Sequence, residues 1–289
     1  MEEAREYARS VLAKKVDMLK VDLDLTLDQL RAIVEEGKKA GVLTVGHSQD
    51  LRKAVETGLK YMEHTDTLGR SILGQMGGPV KVKEGGANPE RLMDPKLFDP
   101  MIQYLVKEGV FLNPTMFARW RASTPRGQEY AKAATALIKD PGLAFVASNV
   151  RESWTQVRGR ADSEGYTKVT EFLRKYAAAG GKIIAGTDAG FMPGLTLHFE
   201  MQMLVDAGIP PMKAIQGGTL WGAESIGQQK DLGSIEAGKL ADITIIEGNP
   251  LADITATRNI RMVIKDGKVI DTAYDPKWVN PLLRPKGGN

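Results

Sequence analysis

Short apolar runs alternate with amphipathic segments along most of this chain. Polar residues or glycines bound each run, and the segments between runs carry apolar residues near helical spacing. Strands that alternate with helices in this way are typical of a parallel sheet covered by helices. The predicted strands are residues 16–25, 42–46, 59–63, 110–115 and 182–186.

The first predicted strand has two different faces. Leu19 and Val21 lie on an apolar face, while the opposite face becomes polar at Lys20 and Asp22. This pattern suits the wall of a barrel, with helices outside and the polar end of the strand at the top.

The helix that follows has clear boundary signals. Thr26 is a predicted N-cap, and Gln29 three residues later completes a capping box. Gly41 is the predicted stop. Further helices are predicted at residues 2–15, 49–57, 100–108, 198–207 and 212–226.

Two stretches interrupt the alternation, and the pattern changes near the C-terminus. Residues 69–95 are rich in Gly and Pro and predict a long loop, whereas residues 117–179 carry helical patterns without a clear strand. The last part of the chain is β-rich, with a hairpin turn at residues 265–267. We therefore predict a barrel domain over residues 1–228 and a C-terminal β-rich segment with a tail over residues 229–289.

About five strand–helix units can be counted, where a closed barrel has eight. The predicted fold class is α/β: a TIM-type (β/α) barrel truncated at its N-terminus, with a small C-terminal β appendage. The missing units are expected before Met1. An open sheet leaves two unpaired edges, which natural proteins pair or cover, so a homo-oligomer that covers the barrel edges is expected.

Composition removes several classes of function. The 289 residues include 39 basic and 36 acidic side chains, and no cluster of Lys and Arg points to nucleic acid. Cysteine is absent, which excludes disulfides and thiolate ligands. No apolar run has the length of a membrane span. The N-terminus does not read as a signal peptide, so a cytoplasmic location is expected, provided that no upstream segment carried a signal.

The candidate chemistry lies at the ends of the predicted strands. Lys20, His47, His64 and Asp188 each end or follow an apolar run, and the chain has only three histidines. The carboxyl ends of barrel strands meet at one face, where active sites form, and imidazole and carboxylate groups are common metal ligands. The set therefore predicts a metal site at the mouth of the barrel.

Each of these residues also has an ordinary structural interpretation. Lys20 could pair with a neighbouring aspartate, His47 could cap a helix, and His64 and Asp188 could be turn residues. Their occurrence at successive strand ends favours the site.

The motifs VDMLKVDLD, TVGHSQDLRKAVETGLKYMEHT, IIAGTDAG, LHFEMQMLVDAGIPPMKAIQGGT and LGSIEAGKLADITIIEGNPLADI together resemble the amidohydrolase superfamily, most closely its imidazolonepropionase-like and peptidase-like branch. The resemblance covers nearly the whole chain, apart from the loop after His64 and residues 117–164. It implies that Lys20 is a carboxylated metal-bridging lysine and that His47 and His64 are metal ligands. It also implies that Asp188 binds metal and takes a proton from the nucleophile.

One motif of that superfamily, a His-x-His on the first strand, has no counterpart here. The implied cofactor is therefore a divalent metal, zinc by expectation, with one ion more expected than two. Two histidines and a lysine carbamate supply about three protein ligands, the usual minimum for catalytic zinc.

Two functional hypotheses follow from these residues. The first is a metal-dependent hydrolase that cleaves a C–N bond of a small amide, cyclic amide or dipeptide-like substrate by metal-bound hydroxide. The alternative is a catalytically degraded or metal-free homologue that folds as an oligomer or with a partner chain. His198 and Asn113 are candidate substrate contacts, although His198 fits packing at the start of its helix better, and Asn113 also fits a turn. Glu200 is assigned to a helix surface.

Overall fold

The computed structural model of the protein describes residues 1–77, 88–144, 146–155, 161–188 and 194–272. Within these ranges, a parallel sheet forms the centre of the fold, and its strands follow one another in chain order. The strands are β1 (Met18–Val21), β2 (Leu43–Gly46), β3 (Tyr61–Glu63), β4 (Phe111–Asn113) and β5 (Lys182–Ile183). The predicted fold class, a partial (β/α) barrel with five strands, is confirmed, although each strand is shorter than predicted.

Helices follow the strands and cover the sheet. They are α1 (Glu2–Leu12), α2 (Leu27–Lys39), α3 (Leu51–Glu56), α4 (Thr65–Gln75), α5 (Phe98–Lys107), α6 (Met116–Trp120), α7 (Gly127–Ile138), α8 (Ser148–Ser153), α9 (Ser163–Ala178), α10 (Leu195–Asp206), α11 (Pro211–Gly217) and α12 (Leu220–Ser225). Short 3-10 helices lie at Pro89–Leu92, Pro95–Leu97, Pro141–Leu143 and Ile254–Arg258. None of the described helices is both long enough and apolar enough to cross a bilayer.

The sequence signals of α2 act as predicted. The Thr26 side chain accepts from the backbone N–H of Gln29, and the Gln29 side chain accepts from the backbone N–H of Thr26. Leu30 and Val34 then face the main hydrophobic core, which they share with Val21 of β1. A capping box thus starts the helix, and burial of its apolar face holds it on the sheet.

The loop predicted for residues 69–95 is wrong in its described part. Residues 69–75 continue α4, and Pro89–Leu92 forms a 3-10 helix that packs against it. A Cβ at Gly69 would lie 2.8 Å from the backbone nitrogen of Glu90, so this glycine allows close helix packing. Residues 78–87 of the predicted loop lie outside the described residues. A glycine that looked like a helix breaker is therefore a packing position.

The C-terminal region forms a separate antiparallel sheet. It consists of β6 (Ile243–Ile246), β7 (Ile260–Lys265) and β8 (Lys268–Ile270). The predicted hairpin turn joins β7 to β8, with Asp266 at φ 52° and Gly267 at φ 73°. The predicted division of the chain at residues 228/229 stays a prediction, and residues 273–289 lie outside the described part.

Candidate functional site

The strand ends meet at one edge of the sheet, as the sequence predicts. His47 directly follows β2, and its backbone N–H donates to Val21 O of β1 at 3.1 Å. His64 directly follows β3, and its N–H donates to Asn113 O of β4 at 2.8 Å. Parallel pairing thus continues one residue past each strand and fixes the histidine backbones in the sheet.

Gly46 allows this close approach before His47. Its φ is +144°, and a Cβ built on it would lie 2.1 Å from Val21 O. Only a residue without a side chain fits at this position, so Gly46 sets where His47 leaves the sheet.

The two histidine rings stack on each other. Their centroids are 4.8 Å apart and their planes differ by 27°. Burial lowers the pKa of both imidazoles, and that of His64 falls to about 4, with the neighbouring His47 as the second cause. Both rings are therefore neutral near pH 7, and each keeps one nitrogen lone pair that can bind a cation.

Lys20 and Asp188 belong to the same electrostatic environment. Burial is the largest cause of the lowered pKa of His47. The charges of Asp66, Asp22 and Asp188 raise this pKa, whereas the charge of Lys20 lowers it. Both Lys20 and Asp188 are exposed, on β1 and just after β5. The structure thus brings His47 and His64 into contact, with Asp188 near enough to act on both through its charge and Lys20 near enough to act on His47.

His64 is oriented by a hydroxyl group and by an unusual backbone. Its Nδ1 lies 2.5 Å from Thr115 Oγ1, which follows β4. His64 has φ 58° and ψ 164°, and Thr115 has φ 47° and ψ 51°. Asp188 also has a positive φ of 49°. These backbone conformations are costly for residues other than glycine and concentrate at functional sites.

Asn113 bridges towards the neighbouring strand. Its Nδ2 donates to Glu63 Oε2 at 2.8 Å, while its Oδ1 is buried without a hydrogen-bond partner among the described residues. Burial raises the pKa of Glu63, and the charge of Lys20 opposes this shift. A Cβ at Gly186 would lie 2.1 Å from Asn113 Oδ1, so the glycine leaves room for the amide. Asn113 is therefore held at the strand ends with one free acceptor.

His198 makes its contacts with the C-terminal region instead. Its Nδ1 lies 3.1 Å from Thr257 Oγ1 in the 3-10 helix Ile254–Arg258. Burial lowers the pKa of His198, and the positive charge of Arg258 lowers it further. His198 thus makes a hydrogen bond near the start of α10, and its part in substrate binding stays a prediction.

One assignment made for α10 is wrong. Glu200 is predicted to lie on a helix surface, but its side chain is fully buried and accepts from the backbone of Met116 and Phe117. The run LHFEMQML has no polar stripe, and this is the one sequence signal that α10 is buried on every side.

A second buried carboxylate supports the segment after His64. Glu90 Oε1 accepts from Thr65 Oγ1 at 2.7 Å and from Arg119 Nη2 at 3.2 Å. Trp120 Nε1 in turn donates to Thr65 Oγ1 at 3.1 Å. Sequence reasoning missed this network, because its members are far apart in the chain.

The imidazole nitrogens at the strand ends are atoms of the kind that bind a divalent ion. His47 Nδ1 is buried and has no hydrogen-bond partner among the described residues, and Thr115 occupies His64 Nδ1, so His64 Nε2 is the free nitrogen. The described residues contain no group of three or more His, Cys, Asp or Glu placed to hold a metal. A third ligand would therefore have to come from a carboxylated Lys20 or from movement of Asp188.

A parallel α/β sheet with polar residues at its carboxyl ends defines the class of (β/α) barrel proteins with a strand-end site. Within this class, the family model described as "Amidohydrolase family" matches residues 18–270, and the chain belongs to that family. None of the curated proteins matches the sequence.

Several solved structures have a similar fold. A Xaa-Pro dipeptidase with bound methionine in its active site is 25% identical, with a TM-score of 0.61, covering 93% of this chain and 58% of its own. Molinate hydrolase is 22% identical, with a TM-score of 0.64, covering 100% of this chain and 58% of its own. Ochratoxinase from A. niger is 23% identical, with a TM-score of 0.58, covering 93% and 54%. The chain thus spans less than two thirds of the length of these relatives.

Proposed function

We propose that this protein is a metal-dependent hydrolase that cleaves a C–N bond in a small amide, cyclic amide or dipeptide-like substrate. The observation that carries the proposal is the stacked, neutral pair of His47 and His64 at adjacent strand ends. Buried neutral imidazoles beside an exposed carboxylate can serve as ligands of a cation.

In the proposed site, His47 and His64 hold one divalent ion, zinc by expectation. His64 contributes Nε2, because Thr115 occupies its Nδ1. Lys20, carboxylated on Nζ, is the proposed third ligand, with Asp188 as the fourth. When bound, such an ion supplies hydroxide at neutral pH and polarises the scissile carbonyl.

The remaining steps fall to side chains of this chain. Asp188 is exposed and lies five residues beyond the end of β5, and we assign it the transfer of a proton to the leaving nitrogen. Asn113 is the proposed substrate contact, because it lies at the strand ends and its buried Oδ1 has no hydrogen-bond partner among the described residues. His198 ranks below it, because Thr257 already engages its ring.

The substrate class rests on relatives of the same fold. Their names include a dipeptidase for Xaa-Pro and hydrolases of molinate and of phenylurea. These names share hydrolysis, and Xaa-Pro dipeptides and molinate are therefore the first probes to use.

We also propose that a second copy of the chain covers the open sheet. Among the described strands, β1 and β5 each pair on one side only. Unpaired edges favour association. Light scattering should give a mass above that of one 31.5 kDa chain, and a monomer at all concentrations would contradict the dimer.

A zinc titration followed by histidine NMR tests the metal site. With three histidines, each imidazole gives its own signals. Zinc should shift the signals of His47 and His64 and leave those of His198 in place. His47→Gln and His64→Gln should each abolish tight binding and turnover of the probes. Zinc that shifts only His198, or turnover retained in both variants, would refute the proposal.

A further inference from the structure

Glu200 is a carboxyl group with no exposed surface, at the centre of α10. Its Oε1 accepts from the backbone N–H of Met116 at 2.8 Å, and its Oε2 accepts from that of Phe117 at 2.7 Å. Both donors lie in the first turn of α6, so one side chain satisfies two backbone groups that a helix start leaves without intrahelical partners.

Such a contact replaces the usual N-cap of α6. Thr115 occupies the N-cap position, and threonine there ordinarily accepts from the backbone two or three residues ahead. Here its side chain makes no cap hydrogen bond, and its backbone is left-handed instead of extended. The Thr115 hydroxyl instead meets Nδ1 of His64.

These two observations complete each other. A buried helix start needs acceptors, and a threonine hydroxyl can serve either the helix or the histidine. With Glu200 in place, the helix no longer needs Thr115. Stacking of Phe117 on Phe199, at 5.3 Å between centroids, holds α6 against α10 and keeps the carboxylate in register with the two N–H groups.

We propose that Glu200 is a positioning residue for the strand-end site: it caps α6 in place of Thr115 and so releases the Thr115 hydroxyl to orient His64. The role in metal binding rests on the proposed function, whereas the effect on the His64 ring does not. Burial raises the pKa of Glu200 to about 8, and a protonated carboxyl group keeps lone pairs on both oxygens that can accept from the two N–H groups.

The consequence for His64 is a fixed ring and a fixed tautomer. We assign the proton to Nδ1, which donates to Thr115 Oγ1 and leaves the lone pair on Nε2. Outer partners of this kind typically change metal affinity by about 10- to 100-fold when they are removed.

The test uses the imidazole signals of the full chain without metal. In the wild type, the nitrogen shifts of His64 should report a single Nδ1–H tautomer. Glu200→Gln replaces one of the two accepting oxygens by an amide NH₂, which cannot accept a hydrogen bond. The Thr115 hydroxyl should then turn back to cap α6. The His64 signals should then move towards a mixture of tautomers, as they should in Thr115→Val.

Matched variants separate positioning from folding. Thr115→Ser keeps the hydroxyl and should retain the wild-type His64 signals. Thr257→Val should move only the signals of His198, whose ring Thr257 contacts. If Glu200→Gln does not fold, Glu200→Asp keeps the carboxyl group but is too short to reach both N–H groups, and it should give the same shift.

The outcomes distinguish this inference from the proposed function. Folded Glu200 variants with unchanged His64 signals, or Thr115→Val with unchanged signals, would overturn the positioning role. Zinc affinity about 10-fold or more weaker in Glu200→Gln supports the inference as applied to the metal site. If wild-type protein binds no zinc while the tautomer still depends on Glu200, the proposed function fails and the positioning role stands.

Discussion

Thr115 Oγ1 and His64 Nδ1 lie 2.5 Å apart, and both residues hold backbone conformations that favour glycine. Of the described non-glycine residues with positive φ, these two and Asp188 all follow strands at one edge of the sheet. Strain of this kind persists only where surrounding contacts impose it. At this edge, the contacts come from the buried carboxylates Glu90 and Glu200, which anchor the segments that carry the two residues.

Replacing His64 by Gly and by Ala should expose this backbone strain. Both variants lose the imidazole, so their difference isolates the conformation at φ 58° and ψ 164°. Relief of the strain contributes about 1–3 kcal/mol, and the extra freedom of unfolded glycine offsets about 0.5–1 kcal/mol of it. We therefore expect His64→Gly to be about 1 kcal/mol more stable than His64→Ala in urea unfolding. An alanine variant of equal or greater stability would show that the backbone relaxes without cost.

Gly46→Ala should destabilise the sheet strongly. The added Cβ would meet Val21 O at 2.1 Å, and the residue would keep a positive φ. We expect a loss of about 2–4 kcal/mol in the free energy of unfolding. Gly41→Ala is the matched control, because Gly41 has φ +68° but open space around a Cβ. It should lose only about 1 kcal/mol, and equal losses would refute the role of the β1 contact.

Glu36→Gln should flatten the acid dependence of stability. Arg9, Lys39 and Arg5 donate to this carboxylate and lower its pKa to about 2. The contact between α1 and α2 therefore adds stability at pH values above the ordinary pKa of 4.5. This contribution is lost as the pH falls through the range from 4.5 towards 2. The urea midpoint should fall more between about pH 5 and pH 3 in the wild type than in the variant. Glu35→Gln, which removes only a contact to Arg5, should behave as the wild type.

Glu200→Gln should remove a loss of stability that the wild type shows as the pH rises. Because burial raises the pKa of Glu200 to about 8 from 4.5, the folded state holds a proton that the unfolded state has lost in this range. Wild-type stability should therefore fall as the pH rises through this range, by up to about 1.4 kcal/mol per pH unit. The variant lacks this titration, so its deficit relative to the wild type should shrink between about pH 5.5 and pH 7.5 in urea unfolding. Parallel curves would contradict the raised pKa.

Local patterns were enough to predict most elements of the sheet and its covering helices. The capping box at Thr26 and the hairpin turn at Asp266 and Gly267 depend on neighbours within a few residues, so the sequence carries them directly. The prediction of a loop at residues 69–95 is wrong, because Gly69 packs against the backbone of Glu90, more than 20 positions away.

The sequence by itself determined that five strand–helix units form and that His47 and His64 end adjacent strands. Alternation of apolar and polar positions specifies which face each element buries, and parallel pairing then places strand ends together. Only the tertiary structure decided that the rings stack, that Thr115 engages His64, and that Glu200 caps α6. These contacts join residues 17 to 84 positions apart, and their free energy depends on burial and distance, which the packed chain alone defines.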